Sequence, residues 1–237
     1  MLEINGIHVY RGPAHILNGI SLSVHESEVV CLVGRNGAGK TTTIDSIMGL
    51  LPIRSGSIAF EGREISAMPT HLRAQEGLGY APEDAGIFPD LSVAENILLS
   101  KLLAGSQRSA PGAGAAADER IYSVFPEVRE FLDRRGLFLS GGQKKMVAIA
   151  RAMALSPALL LLDEAFEGLA PVVVNRFRDA VIKIKAMGIS LLIAESNLAT
   201  AAGVADRLYA IDRGEIIFHG KPEEALANED VMRTIRG

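Results

Sequence analysis

The sequence has no tryptophan, a single cysteine and few aromatic residues of any kind. Cys31 has no partner for an internal disulfide, so a reducing compartment is expected and a disulfide-stapled secreted scaffold is excluded. Its setting, Val29-Val30-Cys31-Leu32-Val33, reads as a small core residue and not a reactive thiol. Positive charge is not in excess: 24 basic residues face 28 acidic ones, a net charge of -4, which argues against a nucleic-acid-coating protein. The start, MLEINGIHVY, lacks a basic stretch followed by an apolar core, so no signal peptide is expected. No apolar run approaches the roughly 20 residues needed to cross a bilayer, so any membrane this protein serves is spanned by other chains. His8, His15, His25, His71 and His219 lack metal-ligand spacing and read as surface or hydrogen-bonded strand and loop residues.

What is present suits one large domain, or a core with an inserted lobe, in 237 residues of which 48% are apolar. The segment to Val33 reads as strands, with Leu2, Ile4, Ile7 and Val9, then Ile16 to Val24, separated by the turn residues Arg11-Gly12-Pro13. Val29 to Val33 has the unbroken apolar character of a strand buried on both faces of a parallel sheet. Helical spacing begins after Gly39 and ends near Gly49. Short strands are expected at Ser57–Phe60 and Leu78–Ala81, then a helix-rich middle from Leu91 to Arg135. Within it, the stretch from Gly105 to Ala117 is too poor in large apolar groups for core and reads as a flexible surface loop; the alternative is that Ala115–Ala117 begin the next helix. Further on come a helix from Gly141 to about Leu155, strands at Ala158–Asp163 and Ile189–Ala194, and a helix from Pro171 to Met187. A hairpin of Leu208–Ile211 with Glu215–Phe218 and a short helical tail close the chain.

Gly34-Arg35-Asn36-Gly37-Ala38-Gly39-Lys40-Thr41 fits G-x-x-x-x-G-K-[ST] between a strand and a helix. Glycines let the backbone wrap an anion and aim successive N–H groups at it, and the helix N-terminus adds its field. Asn36, Gly37, Ala38, Gly39, Lys40, Thr41 and Thr42 are therefore candidate ATP contacts, with Lys40 neutralising phosphate and the Thr41 hydroxyl available to Mg²⁺. Leu159-Leu160-Leu161-Leu162-Asp163-Glu164 delivers two acids at the C-terminal end of a buried strand. Asp163 is the candidate Mg²⁺ holder and Glu164 the candidate general base for water. Leu139-Ser140-Gly141-Gly142-Gln143 opens a long helix and supplies a second helix N-terminus able to meet phosphate.

This order of motifs resembles the ABC ATPases along essentially the whole chain. The resemblance implies an α/β P-loop NTPase (RecA-like) core with an N-terminal antiparallel β subdomain and an inserted α-helical subdomain. Approximate bounds are 1–85 and 157–237 for the core and 86–156 for the helical, signature-bearing part. It also implies that Ser140, Gly141, Gly142 and Gln143 serve a partner subunit's ATP, so that the nucleotide joins a dimer. The closer resemblance is to importer ATPases for branched-chain and other hydrophobic amino acids, amides and urea. It rests on His15 to Leu22, Cys31 to Thr42, Met48 to Gly56, Gly79 to Asn96 and Gly168-Leu-Ala-Pro. The partners then implied are two membrane permeases, a second, non-identical ATPase and, indirectly, an extracytoplasmic substrate-binding protein, at the cytoplasmic face of the inner membrane. A lipid or lipopolysaccharide exporter and a soluble non-transport ABC ATPase are the alternatives.

Four positions depart from the family pattern. An aromatic that stacks on adenine is replaced by Arg11, preceded by Tyr10; period-2 alternation sends Tyr10 to the opposite face, which favours Arg11, and an exposed arginine with no adenine contact is the competing reading. Glu83 stands where glutamine usually reaches toward Mg²⁺ and the membrane partner. Ala165-Phe166-Glu167-Gly168-Leu169-Ala170 lacks the usual proline and aspartate. Ser196, in Glu195-Ser196-Asn197, occupies the place of a histidine that contacts γ-phosphate. A serine there can donate a hydrogen bond but cannot carry positive charge. Ile87-Phe88-Pro89, Leu91 and Val93 are expected in part to line a groove for a permease's cytoplasmic helix.

Overall fold

The computed structural model describes residues 1–103 and 113–236. In chain order the elements are β1 (Leu2–Arg11), β2 (Ala14–Val24), β3 (Val29–Val33), α1 (Lys40–Met48), β4 (Ser55–Phe60), β5 (Arg63–Glu64), α2 (Thr70–Glu76), β6 (Leu78–Ala81), α3 (Val93–Leu103) and α4 (Ala113–Val124). There follow α5 (Gly141–Ala154), β7 (Leu159–Asp163), α6 (Pro171–Ala186), β8 (Ser190–Glu195), α7 (Leu198–Ala202), β9 (Arg207–Asp212), β10 (Glu215–Gly220), α8 (Pro222–Ala227) and α9 (Glu229–Arg236).

Two sheets result. One is four-stranded and antiparallel, ordered β2-β1-β4-β5; the other is six-stranded, ordered β10-β9-β3-β8-β7-β6. In the larger sheet β3, β6, β7, β8 and β9 run parallel, and only the β9–β10 hairpin is antiparallel. Every residue of β3, β7 and β8 is buried, because both sheet faces are covered. Alternation divides the apolar side chains between two cores. Cys31, Leu160, Leu162, Leu191 and Ile193 point toward α5, α6 and α7, whereas Val30, Leu32, Leu159, Leu161 and Leu192 point toward α1 and the antiparallel sheet. Withdrawing such a leucine from water is worth about 2 kcal/mol. The Cys31 thiol is fully buried and its pKa is raised by that burial, as a core residue requires.

In β1 the apolar positions shift from Leu2 and Ile4 to Ile7 and Val9. A register irregularity between Ile4 and Ile7, with Gly6 at φ 56°, resets the alternation so that all four stay buried. The ends of α1 also differ from a sequence pattern alone. Its C-terminal carbonyls on Ser46 and Ile47 accept from the buried Arg73 guanidinium at 2.9 and 2.7 Å, and Arg73 also reaches Ser66 O and Met68 O.

Most expected elements occur within a residue or three of their expected bounds. The short α2 and α7 and the two-residue β5 carried too little periodicity to be expected. Helix α4 begins at Ala113, so Ala115–Ala117 are helical; the rest of the low-complexity stretch, Gly105 to Gly112, lies outside the described residues. The strand expected to end at Ala194 includes Glu195, which is buried. No described helix is long and apolar enough to cross a membrane.

Candidate functional site: a phosphate loop facing a buried acidic edge

Strand β3 lies between β8 and β9, and its C-terminal end opens into the loop Gly34–Gly39. Two glycines there are dictated by space and backbone. A Cβ on Gly34 would lie 2.4 Å from Ile211 O, and Gly39 has φ 116° with Leu17 Cδ2 2.7 Å from its Cβ position. Gly39 is the N-cap of α1 and supplies no side-chain cap, which leaves the N–H groups of the first turn directed outward. The loop forms one wall of a cavity of about 430 Å³. Asn36, Gly37, Gly39, Lys40, Thr41 and Thr42 line it, together with Arg11, Ile16, Glu83 and Glu164.

Lys40 is 4% exposed. Its ammonium donates to Gly34 O (2.8 Å), Arg35 O (3.2 Å) and Ser196 Oγ (3.2 Å), and pairs with Glu164 Oε1 at 2.9 Å. Ser196 Oγ lies 2.6 Å from Glu164 Oε1 and 2.9 Å from Asn36 Oδ1. One hydroxyl thus touches the phosphate loop, its lysine and the acid after β7. Glu164 Oε2 is buried without a hydrogen-bond partner.

Asp163 lies beneath the cavity wall, 1% exposed, with neither carboxylate oxygen hydrogen-bonded. Its pKa is raised to about 6, chiefly by burial and then by the charges of Glu164, Glu83 and Asp45, with the Thr41 hydroxyl alongside partly offsetting them. An orphaned buried carboxylate beside a threonine hydroxyl and a further acid is an all-oxygen donor set that suits a hard divalent cation. Mg²⁺ therefore fits these residues.

Arg11 and Tyr10 part company as alternation requires. Tyr10 stacks on His15 with ring centroids 4.2 Å apart, while Arg11 faces the cavity and donates to Asp45 Oδ2 of α1 at 2.9 Å. His15 also contacts His8, 3.1 Å between ring nitrogens, so these histidines are a cross-strand pair.

Ser140, Gly141, Gly142 and Gln143 do not line the cavity. They open α5 elsewhere: Ser140 Oγ accepts from Gln143 N at 3.3 Å, and Gln143 Oε1 accepts from Ser140 N at 3.0 Å. Ser140 and Gly141 are exposed, so this helix end faces outward.

Sequence reasoning missed four contributors: Ile16 in the cavity wall, Asp45 holding Arg11, and Lys145 and Glu195 behind Glu164. Glu195 repeats the signal that exposed Asp163, an acid ending a buried apolar strand, but lay beside the more conspicuous Ser196. A cavity of about 390 Å³ beside Ile87, Phe88 and Pro89 is lined by residues of α2 and α5 with Tyr80, Pro82, Ala85, Gly86 and Ser100, and not by those three. Ile87 packs into the core, and Phe88 carries the Arg151 guanidinium 5.2 Å from its ring centroid. Asn96 fixes this loop: its amide bonds Phe88 N and O, together with Leu91 O and Ser92 O, folding it back on α3.

A parallel sheet with a glycine loop after one strand, a buried lysine and a carboxylate pair at the end of the strand next but one defines a P-loop nucleoside triphosphatase. The ABC transporter family matches residues 17–167. Lipopolysaccharide export system ATP-binding protein LptB of Haemophilus influenzae is 37% identical over 226 residues, 94% of this chain and 91% of its own length. LptB of Escherichia coli K12 is 36% identical over 228 residues, covering 96% and 93%. The ADP conformation of MJ1267, an ATP-binding cassette of an ABC transporter, superimposes with a TM-score of 0.84 at 27% identity, covering 100% of this chain and 98% of that one. The chain belongs to the ABC transporter family and is an ATPase that uses ATP with Mg²⁺.

Proposed function

We propose that this chain powers a membrane transporter as one half of an ATP-closed pair, and that its cargo system is a lipid or lipopolysaccharide exporter. The observation carrying the cargo reading is the similarity to LptB proteins over nearly the full length of both chains. The motifs of the sequence favour branched-chain or hydrophobic amino-acid import, whereas the full-length similarity to LptB proteins supports export. Import remains the second reading, favoured by Gly168-Leu-Ala-Pro and the stretch from Gly79 to Asn96, a setting in which Glu83 is tolerated.

In this reading the loop N–H groups from Asn36 to Thr42 and the Lys40 ammonium hold the phosphates, and Arg11 with Ile16 flanks the base. Thr41, Asp163 and Glu83 would hold Mg²⁺, which would neutralise charge on the phosphate oxygens. Glu164 accepts a proton from the attacking water. Its present partners, Lys40 and Ser196, are groups that phosphate draws toward itself, which frees the carboxylate for that water. Ser140 to Gln143 meet the partner's ATP. Residues 86–156 act as the signature-bearing subdomain on the core formed by 1–85 and 157–237. The groove between α2 and α5, largely apolar with Arg151 at its edge, receives a cytoplasmic helix of one of two permeases and holds the chain at the inner face of the membrane.

Ser196 brings no positive charge to the γ-phosphate, so hydrolysis at this site is slow and the working partner is a different, histidine-bearing ATPase. Comparing the isolated chain with the complex, with and without Ser196→His, tests this. Rapid hydrolysis by the chain alone, unchanged by the substitution, overturns it. The cargo is tested by isolating the complex from its native membrane. Exporter permeases and lipopolysaccharide-stimulated hydrolysis are expected, whereas importer permeases and stimulation by an amino-acid-loaded binding protein establish the second reading.

A further inference from the structure

Glu164 has φ 49°, in the left-handed region that side chains with a Cβ rarely adopt. The turn redirects the chain after β7, so that Asp163 lies beneath the wall while Glu164 reaches Lys40 and Ser196. A conformation of this kind persists only where its surroundings fix it. Glu164 N donates to Ala194 O at 2.9 Å, the end of the ladder with β8. The Lys145 ammonium, from the second turn of α5, donates to Glu164 O and to Glu167 O, the latter at 2.9 Å. Glu195 Oε1 accepts from Phe166 N at 2.9 Å. Two long charged side chains from separate elements thereby satisfy the backbone on both sides of the turn.

We propose that Lys145 and Glu195 are positioning residues for ATP hydrolysis: they hold the left-handed turn that aims Glu164, and Lys145 ties that aim to the seat of the signature helix. Lys145 lies on the helix whose first residues are Gly141-Gly142-Gln143, so a displacement of α5 pulls directly on the carbonyl of Glu164. A subunit whose signature has docked on its partner's nucleotide then has its own Glu164 held in place. This rests on Glu164 being the base in hydrolysis.

The experiment measures steady-state ATPase kcat and KM in the assembled transporter, with the partner ATPase's own catalytic acid substituted so that only this chain's site turns over, for Lys145→Met, Lys145→Gln, Glu195→Leu, Glu195→Gln and Glu164→Gln, with melting temperature alongside. Lys145→Met and Glu195→Leu are expected to lower kcat about tenfold with KM for ATP within twofold, since neither side chain lines the nucleotide cavity. The conservative Lys145→Gln and Glu195→Gln, which keep one donor and the acceptor, are expected to recover most of the rate. Lys145→Met at full kcat overturns the proposal, as does a loss that tracks melting temperature and is not rescued by glutamine. If Lys145→Met does not fold, Glu195→Leu against Glu195→Gln decides by the same criteria. Glu164→Gln separates the two levels. Persistent hydrolysis there defeats the assignment of Glu164 and the clamp with it, whereas silence there beside full activity in Lys145→Met defeats the clamp alone.

Discussion

The glycine-bearing N-termini of α1 and α5 are of opposite construction. At α1 the cap is Gly39, with no side-chain hydrogen bond, and the buried Lys40 stands behind it. At α5 the cap is Ser140, locked reciprocally to Gln143, with exposed residues around it. The first end has donors and a cation converging on a cavity in its own chain; the second has satisfied its own N–H and faces outward. A helix N-terminus attracts anions in either case, so the field alone does not distinguish them. The surroundings do: one lies on a cavity with a buried lysine, and the other, in the reading proposed above, is completed by another subunit.

The sharpest way to break this contrast is to remove the cation. Lys40→Ala should weaken ATP binding about 100-fold, the loss of a charge-assisted partner to phosphate, as titration of fluorescent ATP would show. Ser140→Arg should act the other way round. ATP affinity of the isolated chain should stay within about twofold, while hydrolysis by the complex falls on the order of 100-fold as the signature's donors are blocked. Equal damage to both measurements would mean that the second helix end contributes to its own chain's site.

The far end of α1 offers a smaller effect. Arg73→Ala leaves carbonyls of Ser46, Ile47, Ser66 and Met68 without their donor in a buried place, and should cost about 3 kcal/mol of unfolding free energy in urea. A cost below 1 kcal/mol would show that water replaces the guanidinium there.

The smallest effect concerns the acid behind Glu164. Burial raises the Glu195 pKa from 4.5 to about 7, helped by Glu164 and opposed by the Phe166 N–H, Lys145 and Lys40. The folded chain then binds more protons than the unfolded chain between these values, so this group costs stability as pH rises from 4.5 to 7 and fully above it. Glu195→Gln should therefore be more stable than the parent at pH 8 by on the order of 1–2 kcal/mol, with the gain vanishing near pH 4. Thermal melts across that range check it. A gain that grows toward acid pH would contradict the sign.

Much of this was legible in the sequence because it is local. Gly34 to Thr41 carry their own geometry in their residue types, and the four leucines before Asp163 declare a strand buried on both faces and where it ends. Ser140 and Gln143 form their capping box within a single turn. Arg11 and Tyr10 were separable by strand alternation. Asn96, from α3, holds the Phe88 loop back through contacts that no spacing announces. The same holds for Arg73, whose four carbonyl partners come from α1 and from the segment before α2.

By itself the sequence determined the sheet's apolar strands, the phosphate loop and the order of motifs, since backbone preference and alternation act over a few residues. Tertiary structure alone decided that the α1 end lies on a cavity backed by a buried lysine while the α5 end caps itself and faces outward. It also decided that a lysine on one helix and an acid on one strand meet around a strained turn at Glu164. Those outcomes depend on groups distant in sequence sharing a buried space, where low dielectric and unsatisfied carbonyls make their pairing count.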